Sequence, residues 1–383
     1  MSGVSEAEHE AGTGCFSPEA LWRAYLDCRR RKRGTKSALL FAQNAGENLL
    51  RLSDELTGGT YRPLRSVCFI TTYPKPREIF AAEFRDRIVH HLLVREIEPY
   101  WEKVFIHDSF ACRKGKGTHA AVERLSHFIQ QITRGRRKRA YYLQLDVKNF
   151  FMSIDRRILF RQLERGLEKQ FRIPRNRLPL GLPQYKEYLA WRELAEQSVF
   201  HDPVAGSERR SPDEKWSLVP PEKSLFNCPV SKGLPIGNLT SQFFANVYLN
   251  ALDRFVKHTL KARFYIRYVD DLVLLHEDRE TLRRWLGEIR EFLKKRLSLE
   301  LKSDVRLRPV SCGINFLGYI QHPTHRLVRR RVVGAFERKL TEVTDLGTAR
   351  PMIASYRAHF EKADSWYLFM DILGRYLRQH LFK

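Results

Sequence analysis

The stretch that most constrains this chain is Phe264 to Leu275, FYIRYVDDLVLL, in which two apolar runs rich in β-branched and aromatic residues meet at adjacent carboxylates, Asp270 and Asp271. Period and composition predict two strands with the dipeptide at the tip of the hairpin between them. Two ionised carboxylates side by side repel each other, and a buried sheet gains nothing from carrying them. A divalent cation removes the repulsion, and phosphoryl or nucleotidyl transfer with two metal ions needs such a cluster. The same residues also fit an ordinary solvated turn, so the reading depends on what else the chain supplies.

A third acid lies upstream. Tyr141 to Leu145, YYLQL, reads as a buried strand that delivers Asp146 at its C-terminal end, followed by Val147, Lys148, Asn149, Phe150 and Phe151. Placed beside the hairpin, Asp146 would complete a three-carboxylate cradle for hard cations, which prefer oxygen ligands. Asp146 fits equally well as the N-cap of a following helix. Between the two acid sites lies Gly233 to Gln242, GLPIGNLTSQ, a turn-rich loop. Apolar residues then recur at Phe244, Val247, Tyr248, Ala251, Leu252 and Phe255, which is helical spacing. After the hairpin comes Asn315 to Tyr319, NFLGY, a short apolar segment broken by a glycine.

In this order, strand-borne aspartate, glycine loop into helix, YVDD hairpin and FLGY, the chain resembles the palm of a reverse transcriptase over nearly all its length. More narrowly, it resembles the reverse transcriptases of diversity-generating retroelements. Most reverse transcriptases open the palm helix with glutamine-glycine, three residues, then serine-proline. Here the pattern is Ile236-Gly237, then Asn238-Leu239-Thr240, then Ser241-Gln242, and the isoleucine and glutamine are that subfamily's mark. Lys75 to Leu92 (KPREIFAAEFRDRIVHHL), Ala111 to His119 (ACRKGKGTH) and Lys223 to Phe226 (KSLF) resemble its other motifs. Retron reverse transcriptases share much of this pattern.

Composition agrees. With 68 Lys and Arg against 44 Asp and Glu, the formal charge is +24, the footprint of a protein that binds a polyanion, with steep salt dependence. Positive charge of this size also serves simply to keep a protein dispersed. The basic runs Arg29 to Arg33, Arg134 to Arg139 and Arg329 to Arg331 lie in separate segments, which suits a groove lined from several sides. No apolar run approaches the roughly 18 residues of a membrane span, and the polar stretch Met1 to Gly14 lacks a signal peptide's apolar core. The six cysteines (Cys15, Cys28, Cys68, Cys112, Cys228 and Cys312) show no zinc-ligand spacing and read as reduced thiols of a cytoplasmic protein.

The fold class expected is α+β, a right-hand polymerase with fingers, a palm of antiparallel sheet plus helices, and a short helical thumb. Residues 1–60 would form an N-terminal helical extension, opened by Ser17-Pro18 and closed near Gly58-Gly59. The fingers would span 61–139, with a strand over Ser66 to Thr72 and a helix around Arg85 to Tyr100. The palm would span 140–322, interrupted by a polar insert over about 173–230 whose prolines predict loop with short helices. The thumb would be 323–383, with Phe336, Leu340 and Val343 at helical spacing. The 64 residues after Tyr319 are expected to be too few for an RNase H or endonuclease domain.

The resemblance implies a role for individual residues. Asp146, Asp270 and Asp271 would be catalytic and hold two Mg²⁺ ions, which Mn²⁺ could replace, with the Val147 carbonyl as an extra ligand. Lys75 and Arg77 would clasp the incoming dNTP, although both also suit a plain surface strand. Phe151 would be the aromatic gate against a ribose 2′-hydroxyl, with Phe150 turned into the core if the segment is extended. Ile236, Gly237 and Gln242 would shape the pocket around the nascent pair. Arg113, Lys114, Lys116 and His119, set around Gly115 and Gly117, would contact template RNA, or form a basic surface turn. Lys302 and Arg306 are rival general acids for pyrophosphate. Partners would be template RNA, its cDNA product, dNTPs and an accessory variability protein, a small helical oligomer, with no membrane. Copying would be error-prone opposite adenine. Two other readings stay open: a retron-like or phage-defence reverse transcriptase, and a non-catalytic RNA-binding scaffold, for which three clustered acids have no use.

Overall fold

The computed structural model describes residues 14–30, 32–174, 183–343 and 346–381. The polar N-terminal stretch, Arg31 of the first basic run and residues 175–182 of the insert lie outside the described residues. Strands follow in the order β1 (Val67–Thr71), β2 (Arg77–Ala81), β3 (Tyr141–Asp146), β4 (Glu208–Arg209), β5 (Phe264–Tyr268), β6 (Asp271–His276), β7 (Arg306–Pro309), β8 (Ile314–Phe316), β9 (Tyr319–Gln321) and β10 (Arg326–Val328). With helices before, between and after them, the class is α+β, as the sequence implied. The chain divides into two compact units. One comprises Met1–Phe105, Lys148–Ala251 and Leu293–Leu299, the other Ile106–Val147, Leu252–Phe292 and Glu300–Lys383.

In the first unit, the helix Pro18–Arg29 begins where the sequence signals it. Ser17 Oγ accepts from the Ala20 amide at 3.3 Å, and proline sits in the first turn, where its missing N–H costs nothing. Helices Lys36–Gln43 and Ala45–Thr57 follow, the latter capped by Gly58. Leu21 and Tyr25 are buried in common with Phe84 and Ile88 of the long helix Phe84–Val104, against which the first helix packs. β1 and β2 form an antiparallel hairpin, Val67 opposite Ala81 and Thr71 opposite Arg77.

The insert differs from expectation. It carries an 18-residue helix, Pro183–Phe200, and strand β4, which pairs in parallel with β1. Tyr188, Trp191, Leu194, Ala195 and Val199 are buried at helical spacing, and Arg192 Nε donates to Glu164 of the helix Arg156–Gln170 at 2.6 Å. The prolines flank this helix, so they punctuate it without breaking it.

In the second unit, β5-β6-β3-β7 form an antiparallel sheet with β3 inside it. Tyr142, Ile266, Val273 and Leu275 share one buried cluster with Leu125, Phe128, Ile129 and Ile132 of the helix Thr118–Thr133. The meander β8-β9-β10 follows. Helices Arg330–Glu342, Leu346–Phe360 and Trp366–Leu381 then add Phe336, Leu340, Phe360 and Phe369 to that cluster.

Candidate active site

The β5–β6 register places the acids. Tyr268 pairs with Asp271, so Val269 and Asp270 are the two turn residues, and Asp271 is the first residue of β6. The hairpin tip is therefore Val269-Asp270, one residue earlier than the dipeptide suggested. Asp271 lies directly opposite Asp146, the last residue of β3. Asp146 thus ends a strand and caps no helix; the short helix Phe150–Ser153 starts after Asn149.

Each acid has a different set of neighbours. The Asp146 carboxylate takes a 2.5 Å ion pair from Lys302 Nζ on Oδ2, while its Oδ1 is buried without a hydrogen-bond partner. The Lys302 amide also donates to the Asp146 carbonyl at 2.8 Å, which fixes the lysine beside the acid. Asp271 Oδ1 accepts from Gln144 Nε2 at 3.0 Å, and the same amide nitrogen donates to the Asn315 carbonyl at 2.9 Å. Burial is the largest influence on both hairpin acids, and their neighbours' charges add to it. Asp270 is raised by burial and then by the negative charge of Asp146. Asp271 is pushed up to about 7 by burial and by the Asp146 and Asp270 charges, against the Gln144 bond and the Arg306 charge. Val147, the proposed carbonyl ligand, has a fully buried side chain and bridges Leu301.

The expected three-carboxylate cradle is not drawn tight: no group of three His, Cys, Asp or Glu side chains among the described residues is gathered closely enough to hold an ion. Gln144 donates to one oxygen of Asp271, and Lys302 holds one oxygen of Asp146. The donor chemistry nevertheless fits a hard divalent cation. All the candidate ligands are oxygens, one is buried and unsatisfied, and burial together with neighbouring negative charge makes ionisation of Asp270 and Asp271 costly.

Of the rival acids, Lys302 sits on Asp146, whereas Arg306 Nη2 pairs with Asp304 Oδ2 at 2.6 Å. Among the basic residues of the glycine-flanked loop, Arg113 donates to the carbonyls of Ile106 and Ser109, both at 2.8 Å. Lys116 donates to the His107 carbonyl at 3.0 Å and lies over the Phe110 ring. These two side chains hold their own loop, while Lys114 and His119 are exposed.

The remaining candidates belong to the first unit. Lys75 and Arg77 are exposed, Lys75 in the β1–β2 turn and Arg77 at the start of β2. Phe150 is buried and Phe151 half-buried, but on a helical turn rather than an extended segment. Phe151 and Ile236 pack on the same cluster of Cys68, Phe80, Met152 and Leu225. The Leu234 amide donates to the Phe151 carbonyl at 2.9 Å, and the Phe80 amide of β2 donates to the Ile236 carbonyl at 2.8 Å. Gly237, at φ +123°, lies so close to β2 that a Cβ would stand 2.7 Å from the Phe80 oxygen. Gln242 is exposed in the first turn of the helix Leu239–Arg254.

Sequence reasoning missed Gln144, and also buried Arg156, whose Nε donates to the Gly233 carbonyl at 2.8 Å and so ties down the start of the loop. The signal for Gln144 was available: one amide in the otherwise apolar run YYLQL needs a partner once buried.

The family model described as reverse transcriptase (RNA-dependent DNA polymerase) matches residues 73–320. Among curated proteins, the chain is 25% identical to Protein YkfC of Escherichia coli strain K12, over 78% of this chain and 75% of that one. Among solved structures it is similar, at 10% identity and a TM-score of 0.45, to telomerase from Candida albicans bound to a fragment of telomeric RNA. That match covers 87% of this chain and 64% of the telomerase chain. A truncated apo telomerase from Candida tropicalis matches with the same identity and TM-score, over 72% of this chain and 58% of that one. No helix among the described residues is long and apolar enough to cross a membrane. With its family model spanning most of the sequence, this chain belongs to the reverse transcriptases, the RNA-directed DNA polymerases.

Proposed function

We propose that this reverse transcriptase copies a template RNA into adenine-mutagenised cDNA for a diversity-generating retroelement. In that reading, residues 61–139 are fingers, 140–322 palm and 323–383 thumb, behind an N-terminal extension of 1–60. Asp146, Asp270 and Asp271 would hold two Mg²⁺ ions, with the Val147 carbonyl as a further ligand. When bound, such ions acidify the primer 3′-hydroxyl and neutralise charge on the triphosphate. The 3′-oxygen forms a bond to the α-phosphorus as the bond to the β-phosphate bridge breaks, and pyrophosphate leaves.

The chain's own residues orient and protonate. Lys302 is the stronger candidate for donating a proton to pyrophosphate, because an ammonium exchanges protons far more readily than a guanidinium. Lys75 and Arg77 would bind the triphosphate, the arginine's planar fork being suited to phosphate oxygens. Phe151 would fill the space of a ribose 2′-hydroxyl. Lys114 and His119 would touch the RNA backbone, with Arg113 and Lys116 shaping the loop that carries them. An accessory protein, a small helical oligomer, would confer RNA specificity.

The observation that carries the subfamily reading is the seat of Ile236. An apolar side chain, where most reverse transcriptases carry an amide, packs with Phe151 on the β2 cluster. Losing an amide removes a polar contact near the pair being checked, and about 1.4 kcal/mol of lost discrimination changes an error ratio tenfold. The test is to copy a defined RNA with wild type and Ile236→Gln, with any accessory protein present, and to sequence the cDNA. Excess errors at template adenines in wild type, reduced in Ile236→Gln, are expected. No adenine excess in wild type would reject the subfamily.

A further inference from the structure

The turn that carries Asp270 has a backbone conformation that its sequence does not favour. Val269 stands at φ +53°, in the left-handed region. A β-branched residue is a steric outlier there, whereas glycine enters the region freely. Something outside the turn must therefore specify the conformation. The Val269 carbonyl accepts a hydrogen bond from Arg267 Nη1 at 3.0 Å, across two residues of the same hairpin.

Arg267 is itself fixed from several directions. It is fully buried, as is Asp253, and Arg267 Nε donates to Asp253 Oδ1 at 2.8 Å and Oδ2 at 3.0 Å. Nη2 donates to Asp253 Oδ2 at 2.6 Å and to Ser109 Oγ at 3.0 Å. The Tyr265 hydroxyl donates to Asp253 Oδ1 at 2.7 Å and so steadies the carboxylate. The backbone is held as well: Arg267 N donates to the Asp108 carbonyl at 2.9 Å, and Phe110 N donates to the Arg267 carbonyl at 3.1 Å. All of these residues lie in the second unit. A buried ion pair is an expensive way to stabilise a core, since apolar residues of similar volume often do as well. A planar fork with several N–H groups can, however, reach its seat and a neighbouring carbonyl together, which an apolar residue cannot.

We propose that Arg267 is a positioning residue for the reaction: seated on Asp253 and Ser109, it holds the Val269 carbonyl and so fixes the left-handed turn that presents Asp270. The inference rests on the reading of Asp270 and Asp271 as the catalytic acids. Lysine at this position keeps the charge for Asp253 but lacks the fork, and its single ammonium does not span Asp253, Ser109 and Val269 at once.

The test is a double-mutant cycle between Arg267→Lys and Val269→Gly, in the full chain, with Asp270→Asn measured alongside. RNA-templated primer extension gives kcat and the KM for dNTP, and thermal melts report folding. If the arginine holds the turn, Arg267→Lys lowers kcat about tenfold, about 1.4 kcal/mol of barrier, with KM changed less than about twofold. In the Val269→Gly background the same substitution costs no more than about threefold, because glycine needs no clamp to keep φ positive. An equal loss in both backgrounds, with Asp270→Asn inactive, overturns the clamp and leaves the acids standing. Normal extension by folded Asp270→Asn overturns the underlying reading and the clamp with it. Should Arg267→Lys lack a cooperative melt, the cycle is run with Ser109→Ala, which removes one anchor of the fork, and the same outcomes decide.

Discussion

Replacing Gly237 with alanine probes most sharply how the loop before the helix Leu239–Arg254 is seated on β2. At φ +123°, Gly237 occupies a region that L side chains rarely enter, and the added Cβ would meet the Phe80 carbonyl oxygen at 2.7 Å and Ile79 Cγ2 at 2.9 Å. The first of these is strand backbone, and the adjacent Phe80 N–H to Ile236 carbonyl bond fixes loop and strand in register. Backbone strain of about 1–3 kcal/mol and overpacking of about 1–3 kcal/mol would add if nothing moved. The cheaper escape is to detach the loop from β2, giving up one hydrogen bond worth about 1 kcal/mol and part of the burial of Ile236, about 1–2 kcal/mol. Stability should therefore fall by about 2–3 kcal/mol, and Ile236 should leave its seat. Thermal melts would show a drop of several degrees, and primer extension a KM for dNTP raised severalfold. Gly287→Ala is the control, because its Cβ meets nothing within 4 Å. In the helix Arg279–Leu297 it should be neutral or stabilising by up to about 1 kcal/mol. A Gly237→Ala protein with wild-type melting and wild-type KM would refute the claimed contact between loop and strand.

Two further outcomes are expected. Phe151→Ala should raise the efficiency of ribonucleotide incorporation relative to dNTP, read as the ratio of kcat/KM values; an unchanged ratio would leave Phe151 as packing alone. The pH dependence of stability in the cation-free protein follows from the raised carboxyls. Asp270 and Asp271 bind protons in the folded state that the unfolded chain has released, between about pH 4 and pH 7, so their contribution falls as pH rises through that window. Asp271→Asn should therefore raise the melting temperature more at pH 8 than at pH 5, by the equivalent of about 1–3 kcal/mol. Equal shifts at both pH values would contradict the strained acid pair.

The features legible in the sequence were those with a short period or a local signal. The alternation and β-branching of Phe264 to Leu275 gave the hairpin, the apolar run before Asp146 gave its partner strand, and Ser17-Pro18 gave the first helix start. What stayed hidden depends on distant partners. Pro183–Phe200 carries a readable helical stripe at Tyr188, Trp191, Ala195 and Val199, but the polar residues and prolines around it suggested loop. The site residues divide in the same way. Asp146 and Asp271 announce themselves as strand-end acids, yet Gln144 holding Asp271 and Lys302 pairing with Asp146 join residues 127 and 156 positions apart in the chain. Arg113 and Lys116 look like phosphate ligands by charge alone, and their hydrogen bonds to nearby carbonyls become visible only once the loop is folded.

The central claim is that Asp146, Asp270 and Asp271 together carry the nucleotidyl transfer. Its most direct test is extension of a DNA primer on an RNA template by purified wild type and Asp270→Asn in Mg²⁺, with circular dichroism and melting to confirm the fold. The substitution removes a charge and hardly changes volume, so the fold should persist while dNTP incorporation falls by several orders of magnitude. A folded Asp270→Asn protein that extends the primer at a rate near wild type would contradict the account.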